Sequence, residues 1–352
     1  MAFSHIPRDY HTITGTPKPD LPYIKGQEWT VTEHFPSEPP KSTSYILDEH
    51  ADEHAQEHAQ EQALIERQDV DALTRCVRYP PSSGQLGHNT LRLRIVDTIR
   101  VGDEKTSQIV LVDILSDQKH ATPVVAKFYD PLYFDHSEFG VDPFRSVDAE
   151  YTRESAAYRR LSAQEERNIP AFYGSYTLEM AVPPASSRSV RLILLEYIHG
   201  KPMNTIKPRK LSQPYRKAIM KQIVSAETRF FEKDVSHDDV FRRNIIIQGL
   251  GSDPSKLQIV FVDFGSADIG RLCDPGVCTI ENCLLPGTYI SPILRWDGDN
   301  VNPLTDDFEA WIDWDWNSWL REEYSQDIEG ITPYMESLFL LHPRYVPEEE
   351  VF

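Results

Sequence analysis

Cysteine, basic residues and long apolar runs are all scarce in this chain, and each shortage removes a class of protein. Four cysteines in 352 residues do not make the dense framework that holds small secreted domains together. Lys and Arg number 36 against 55 Asp and Glu, a formal net charge of −19. Without a basic stripe to meet phosphate backbones, a general nucleic-acid binder is excluded. No apolar run is long enough to span a bilayer, and Met1 to Asp20 is polar and Pro-containing rather than signal-like. The expectation is an intracellular protein, cytoplasmic or nuclear, with no nucleic-acid or membrane partner. Its oligomeric state is not readable. At 40% hydrophobic, the chain can bury one large core or two smaller ones.

Organisation changes along the chain. In residues 1–85, Pro17, Pro19, Pro22, Pro36, Pro39, Pro40, Pro80 and Pro81 are scattered among polar residues without sustained apolar periodicity. This predicts a largely disordered extension. Within it a four-residue repeat, Glu49-His50-Ala51-Asp52 and its two successors, favours a short solvated helix. His50, His54 and His58 would then share one face at a spacing that can hold a metal, beside the simpler reading of a low-complexity helix. From residue 91 the texture predicts strands over 91–99, 108–114, 123–129, 171–177 and 190–197, with one helix over 147–161. The sequence then turns helical: Ser212 and Pro214 open a helix whose apolar face carries Ile219, Ile223 and Phe230. It runs into His237. Segments 244–247 and 258–262 form a hairpin that returns Asp263 beside Asp239.

The chemistry is concentrated there. His237-Asp238-Asp239-Val240-Phe241-Arg242-Arg243-Asn244 places an acid and an amide five positions apart, and Asp263-Phe264-Gly265 adds a second acid. Phosphoryl transfer from ATP needs a carboxylate to orient the hydroxyl, and an amide and another carboxylate to hold Mg²⁺. The pattern resembles the H-R-D-L-x-x-x-N loop and D-F-G turn of protein kinases. The chain is therefore identified as similar to the protein-kinase-like superfamily, of the divergent, compact kind numerous in fungi. The resemblance covers residue 91 to about 319. It implies ATP and Mg²⁺, with Asp239 as base and Asn244 and Asp263 as metal ligands; turn capping is the alternative use of Asp239 and Asn244. Val124-Val125-Ala126-Lys127 resembles V-A-I-K, implying that Lys127 meets the α- and β-phosphates. Its expected partner is Glu154, which shares a helix face with Ala157, Tyr158 and Leu161; Glu150 fits less well. Leu195-Glu196-Tyr197-Ile198 resembles the hinge, implying nucleotide contacts at Glu196 and Ile198.

Several positions depart from the pattern. The turn at 100–107 has one glycine, Gly102, beside Asp103 and Glu104; Gly102 and Ser107 are the candidate phosphate donors. Asp238 replaces the Arg that reads a phosphorylated loop, so that switch loses its receptor. Phe241 stands where Ser/Thr kinases carry Lys, and Arg243 resembles tyrosine kinases. Residues 287–292 resemble the end of an activation segment, with Ile293 in place of Glu. Residues 306–316 resemble the long central helix that follows. Five of the six tryptophans fall between Trp296 and Trp319, which predicts core packing. Cys273, Cys278 and Cys283 could hold zinc or form a redox switch, or remain reduced.

The resemblance implies an α+β, two-lobed kinase-like fold. Residues 86–198 form a five-stranded N-lobe with one helix and the hinge, and 199–352 a reduced, mostly helical C-lobe. The expected function is ATP-dependent phosphotransfer to a hydroxyl, with a protein acceptor favoured over a small molecule. A nucleotide- or partner-binding pseudokinase, and a small-molecule kinase of the aminoglycoside or choline type, stand as alternatives.

Overall fold

The structure, a computed structural model, describes residues 18–39, 71–81, 84–116, 123–136, 142–251, 256–270, 287–298 and 307–340. The repeat with His50, His54 and His58, and the cysteines Cys273, Cys278 and Cys283, lie outside the described residues. The fold is mixed α+β with a large antiparallel sheet. Six strands, β1 (Glu28–Phe35), β2 (Gln85–Arg100), β3 (Gln108–Ile114), β4 (Val124–Tyr129), β5 (Phe172–Val182) and β6 (Ser186–Glu196), close into a barrel in the order β1-β2-β3-β4-β6-β5. Alternation along each strand decides what it buries. Val110 and Val112, Val124, Ala126 and Phe128, and Val190, Leu192 and Leu194 fill the interior. The opposite face of β4 and β6 carries Val125, Lys127, Ile193 and Leu195 as directly paired residues.

Helix α1 (Ala72–Arg78) precedes the barrel's second strand, and α2 (Pro143–Ala163) lies against that outer face of β4 and β6. Asp142 starts α2 by accepting from the amides of Phe144 and Arg145, with Pro143 in the first turn. Val147, Tyr151, Glu154, Tyr158 and Leu161, spaced four and three apart, form its buried stripe. The described residues after β6 mix helices with short strands. They contain α3 (Gln213–Glu232), α4 (Pro292–Arg295), α5 (Trp316–Glu323) and α6 (Pro333–Leu340), with the short strands β7 (Lys201–Pro202), β8 (Val235–Ser236), β9 (Ile245–Gln248), β10 (Gln258–Phe261) and β11 (Asp268–Ile269). A second apolar core joins α2, α3, β9 and β10 to Trp296, Trp311 and Trp319. Among the described residues, no helix is long and apolar enough to cross a membrane.

Two expectations are corrected. The composition of residues 1–85 predicts a largely disordered extension, yet β1 within it pairs with both β2 and β5 and closes the barrel. Val31 is fully buried, and Tyr23, in the same core, donates from its hydroxyl to Asp130 at 2.5 Å. Asp130 also receives a two-pronged contact from Arg188, at 2.7 and 2.9 Å, and all three side chains are buried. Strand β1 hid because Thr, Glu and His interrupt its apolar alternation; cross-strand pairing supplies what pattern lacks. The second correction concerns residues 306–319. Instead of one long helix, a 3₁₀ turn at Glu309–Trp311 is followed by a fresh start at Asp315, whose carboxylate accepts from the Ser318 amide at 2.8 Å. The indole of Trp316 donates to the Trp296 carbonyl at 2.7 Å, so tryptophan packing sets the path.

A chain beginning at Gly84 should therefore melt far below the full-length protein, because it loses the strand that closes the barrel. Tyr23→Phe should cost about 1.5–3 kcal/mol, the scale of a buried hydrogen bond to a charged group. Denaturation of both against the full chain checks this; unchanged melting of the truncated chain would show that β1 does not hold the barrel shut.

Candidate functional site

The site forms where β4, α2 and the turn after β10 meet. Lys127, on the fourth residue of β4, is buried among carboxylates. Its Nζ donates to Glu154 Oε2 at 2.6 Å and to Asp263 Oδ1 at 2.5 Å. The Tyr129 hydroxyl donates to the same Glu154 oxygen at 2.6 Å, locking the carboxylate from a second side. The structure thus pairs Lys127 with Glu154 rather than Glu150. Burial alone would strip the Lys127 proton, but Asp263 and then Glu154 outweigh it and hold the ammonium firmly charged. Burial likewise pushes the Asp263 carboxyl up, and Lys127, with smaller help from Arg100 and His237, overcomes this and holds it at about 2.

Glu150 is one turn before Glu154 on α2, and sequence reasoning ranked it second. It lies against the 263–265 turn: a Cβ on Gly265 would meet Glu150 Cγ at 3.3 Å. Burial pushes its carboxyl up to about 7, Asp263 and Glu154 adding to the effect and Lys127 opposing it. One cation is therefore surrounded by three carboxylates, and the odd one holds a proton near neutrality.

The loop at 237–244 approaches from below and is strung by backbone bonds. Val262 N–H donates to the Asn244 carbonyl at 2.9 Å, and His237 Nε2 sits 3.2 Å from the Val262 carbonyl. These two links bring the residue before Asp263 against both ends of the loop. Asp263 itself has φ of 67°, the left-handed region that a non-glycine residue adopts at some cost. Phe264 turns the other way into the core, against Tyr158 of α2, Phe230 of α3 and the ring of His237. Asn244 Nδ2 donates to Asp239 Oδ2 at 2.7 Å, and Arg243 Nη2 donates to Asp239 Oδ1 at 2.5 Å. Asp239 is thereby fixed from both sides. Asp307 braces the loop, accepting from the Arg242 amide at 2.6 Å.

The remaining candidates are placed as follows. Ser107 is buried, and its Oγ accepts from Arg100 Nη2 at 2.9 Å. The Gly102 N–H donates to Gln108 Oε1 at 2.8 Å, so its amide is already engaged. Glu196 closes the edge of β6, its N–H donating to the Ala171 carbonyl at 2.9 Å, while Ile198 is buried just beyond. Leu111 and Val125 are directly paired and partly exposed on the Lys127 face, and Ile246 and Val262, near the loop, are also partly exposed.

Asn244 Oδ1 makes no hydrogen bond among the described residues, and Asp263 offers a partly exposed carboxylate. An amide and a carboxylate oxygen suit Mg²⁺, which keeps waters and binds together with phosphates. No group of three or more His, Cys, Asp or Glu among the described residues could hold a metal by itself. No family model matches this chain, and no curated protein matches it.

The raised Glu150 carboxyl gives a pH signature. Its folded-state affinity for the proton exceeds that of the unfolded chain, so the contribution to stability is intact below pH ~4.5 and is lost as pH rises through about 7. Asp263 runs oppositely, stabilising above pH ~4 and losing that contribution toward about 2. Glu150→Gln should thus stabilise the protein by about 1–3 kcal/mol at pH 8 and leave it unchanged at pH 4.5. Denaturant unfolding at the two pH values measures the difference; equal effects at both would place Glu150 in water.

Proposed function

We propose that the protein is an ATP-dependent phosphotransferase of the two-lobed, protein-kinase-like type. The observation that carries this reading is the Lys127 ammonium shared between Glu154 and Asp263, opposite a loop that fixes Asp239 beside Asn244. A cation held by one fully buried and one partly exposed carboxylate can exchange the exposed one for phosphate oxygens without losing its anchor. The paired Leu111 and Val125, on the sheet face that carries Lys127, would supply apolar surface for a flat base at the hinge, with Glu196 and Ile198 beside it.

Asn244 and Asp263 would hold Mg²⁺, which supplies charge neutralisation on the phosphates. The chain's own residues do the rest. Asp239, held by Asn244 and Arg243, accepts a hydrogen bond from the acceptor hydroxyl and takes its proton. Lys127 positions the phosphates, and Glu154 with Tyr129 keeps Lys127 aimed. The acceptor we propose is a protein hydroxyl, on the resemblance of residues 287–292 to the end of an activation segment. A second reading, a nucleotide-binding pseudokinase, is favoured by one observation: the turn at 100–107 spends the Gly102 amide on Gln108 instead of offering it to phosphate.

Asp239→Asn separates the two readings. It should keep ATP affinity within a few-fold and lower phosphotransfer by about 10²–10⁴. Transfer by the variant at the wild-type rate would remove Asp239 from the mechanism. A wild type that binds ATP with Mg²⁺ but transfers phosphate to no acceptor or water would leave the pseudokinase. Lys127→Met is a poorer probe, because it leaves two carboxylates without their shared cation, a loss of about 3–5 kcal/mol in stability as well as any loss in chemistry.

A further inference from the structure

We infer that Arg100 is a second phosphate-binding side chain of this cleft, beside Lys127, taking the part that the amides of a glycine-rich turn would play. The inference rests on the nucleotide reading above and names the group that holds the terminal phosphates.

The register of the barrel is the first argument. Thr98 of β2 pairs with Val110, but the next pair is Arg100 with Ile109, so one extra residue is inserted at Ile99. Such a bulge re-aims the side chain that follows it. Without it, Ile99 would lie opposite Ile109; with it, Arg100 takes that place, and Ile109 in turn faces Lys127. Directly opposed residues share one face of a sheet. Arg100, Ile109 and Lys127 therefore form one row on the face that meets α2 and the 263–265 turn. Two strand spacings separate the Arg100 and Lys127 backbones by about 10 Å, and two long side chains can converge across that gap. Ile99 is left 50% exposed, so the bulge does not serve packing.

The second argument is how the guanidinium is held. Ser107, from the far side of the turn and only 1% exposed, accepts from Arg100 Nη2 at 2.9 Å. The other Arg100 donors make no hydrogen bond among the described residues, and the side chain is exposed. A guanidinium fixed at one nitrogen with others open presents the fork that matches phosphate oxygens.

Third, the turn itself has no amides to spare at three of its positions. Gly102 N–H goes to Gln108, Glu104 N–H to Asp103 Oδ1, and Lys105 N–H to the Tyr133 carbonyl at 3.1 Å. Lys18 pairs with Asp103 at 2.8 Å. The turn is pinned back toward the barrel at these positions, and the Arg100 guanidinium keeps open donors in the row that carries Lys127.

The test compares ATP with Mg²⁺ and adenosine as ligands for the full chain and its variants, by calorimetry. Arg100→Met should weaken ATP binding at least tenfold and leave adenosine within twofold, with melting of the unliganded protein unchanged. Arg100→Lys should recover part of the loss. Ser107→Ala, which frees the guanidinium without removing its charge, should fall between wild type and Arg100→Met. ATP affinity unchanged in Arg100→Met, or equal losses for ATP and adenosine, would overturn the role of Arg100 while leaving the nucleotide reading intact. A wild type that binds neither ligand would overturn the nucleotide reading and Arg100 with it.

Discussion

A single buried ammonium organises this molecule. Lys127 leaves water at the centre of β4, and a bare cation there would cost several kcal/mol. Glu154 and Asp263 offset that cost, and they come from two other parts of the chain. The barrel, helix α2 and the turn after β10 are thereby tied at one point. The charge balance is uneven, with Glu150 as a third carboxylate close by.

Support for that point reaches back to the N-terminal segments. Arg75 of α1 grips Asp142 with one nitrogen on both carboxylate oxygens, at 2.9 and 2.6 Å. Asp142 in turn caps α2, the helix that carries Glu150 and Glu154. The His34 ring of β1 lies 2.6 Å from the Tyr151 hydroxyl on the same helix. Residues 18–39 and 71–81 are thus part of the scaffold that orients the lysine's partner. Rigid support of this kind is what a positioned charge needs.

On the other side, backbone bonds and aromatic packing hold the loop at 237–244. Glu227 of α3, itself buried, binds Arg295 and accepts from the Trp296 indole at 3.0 Å, fixing α4 beneath. Arg216 Nη1 donates to the Trp311 carbonyl at 2.6 Å. These contacts replace the long helix expected after residue 306. The tryptophan-rich stretch packs the second core, as its composition implied, in a different backbone path.

Local chemistry decided much of this protein in advance. The strands β3, β4 and β6, the helices α2 and α3, and the hairpin of β9 and β10 follow from apolar periodicity, caps and β-branched runs, which act over a few residues. The spacing of Asp239, Asn244 and Asp263 was legible for the same reason, because one loop and one hairpin fix their approach. Glu154 could be preferred to Glu150 because helical periodicity says which face is buried. What sequence could not supply depends on partners distant in the chain. Strand β1 has a weak pattern and becomes a strand only by pairing with β2 and β5. The path after residue 306 is set by where Trp296 and Trp311 find space. Arg100 reaches its row through two inserted residues in β2, at Val96 and Ile99, and each one-residue change in register reverses the side chains that follow without altering composition or periodicity.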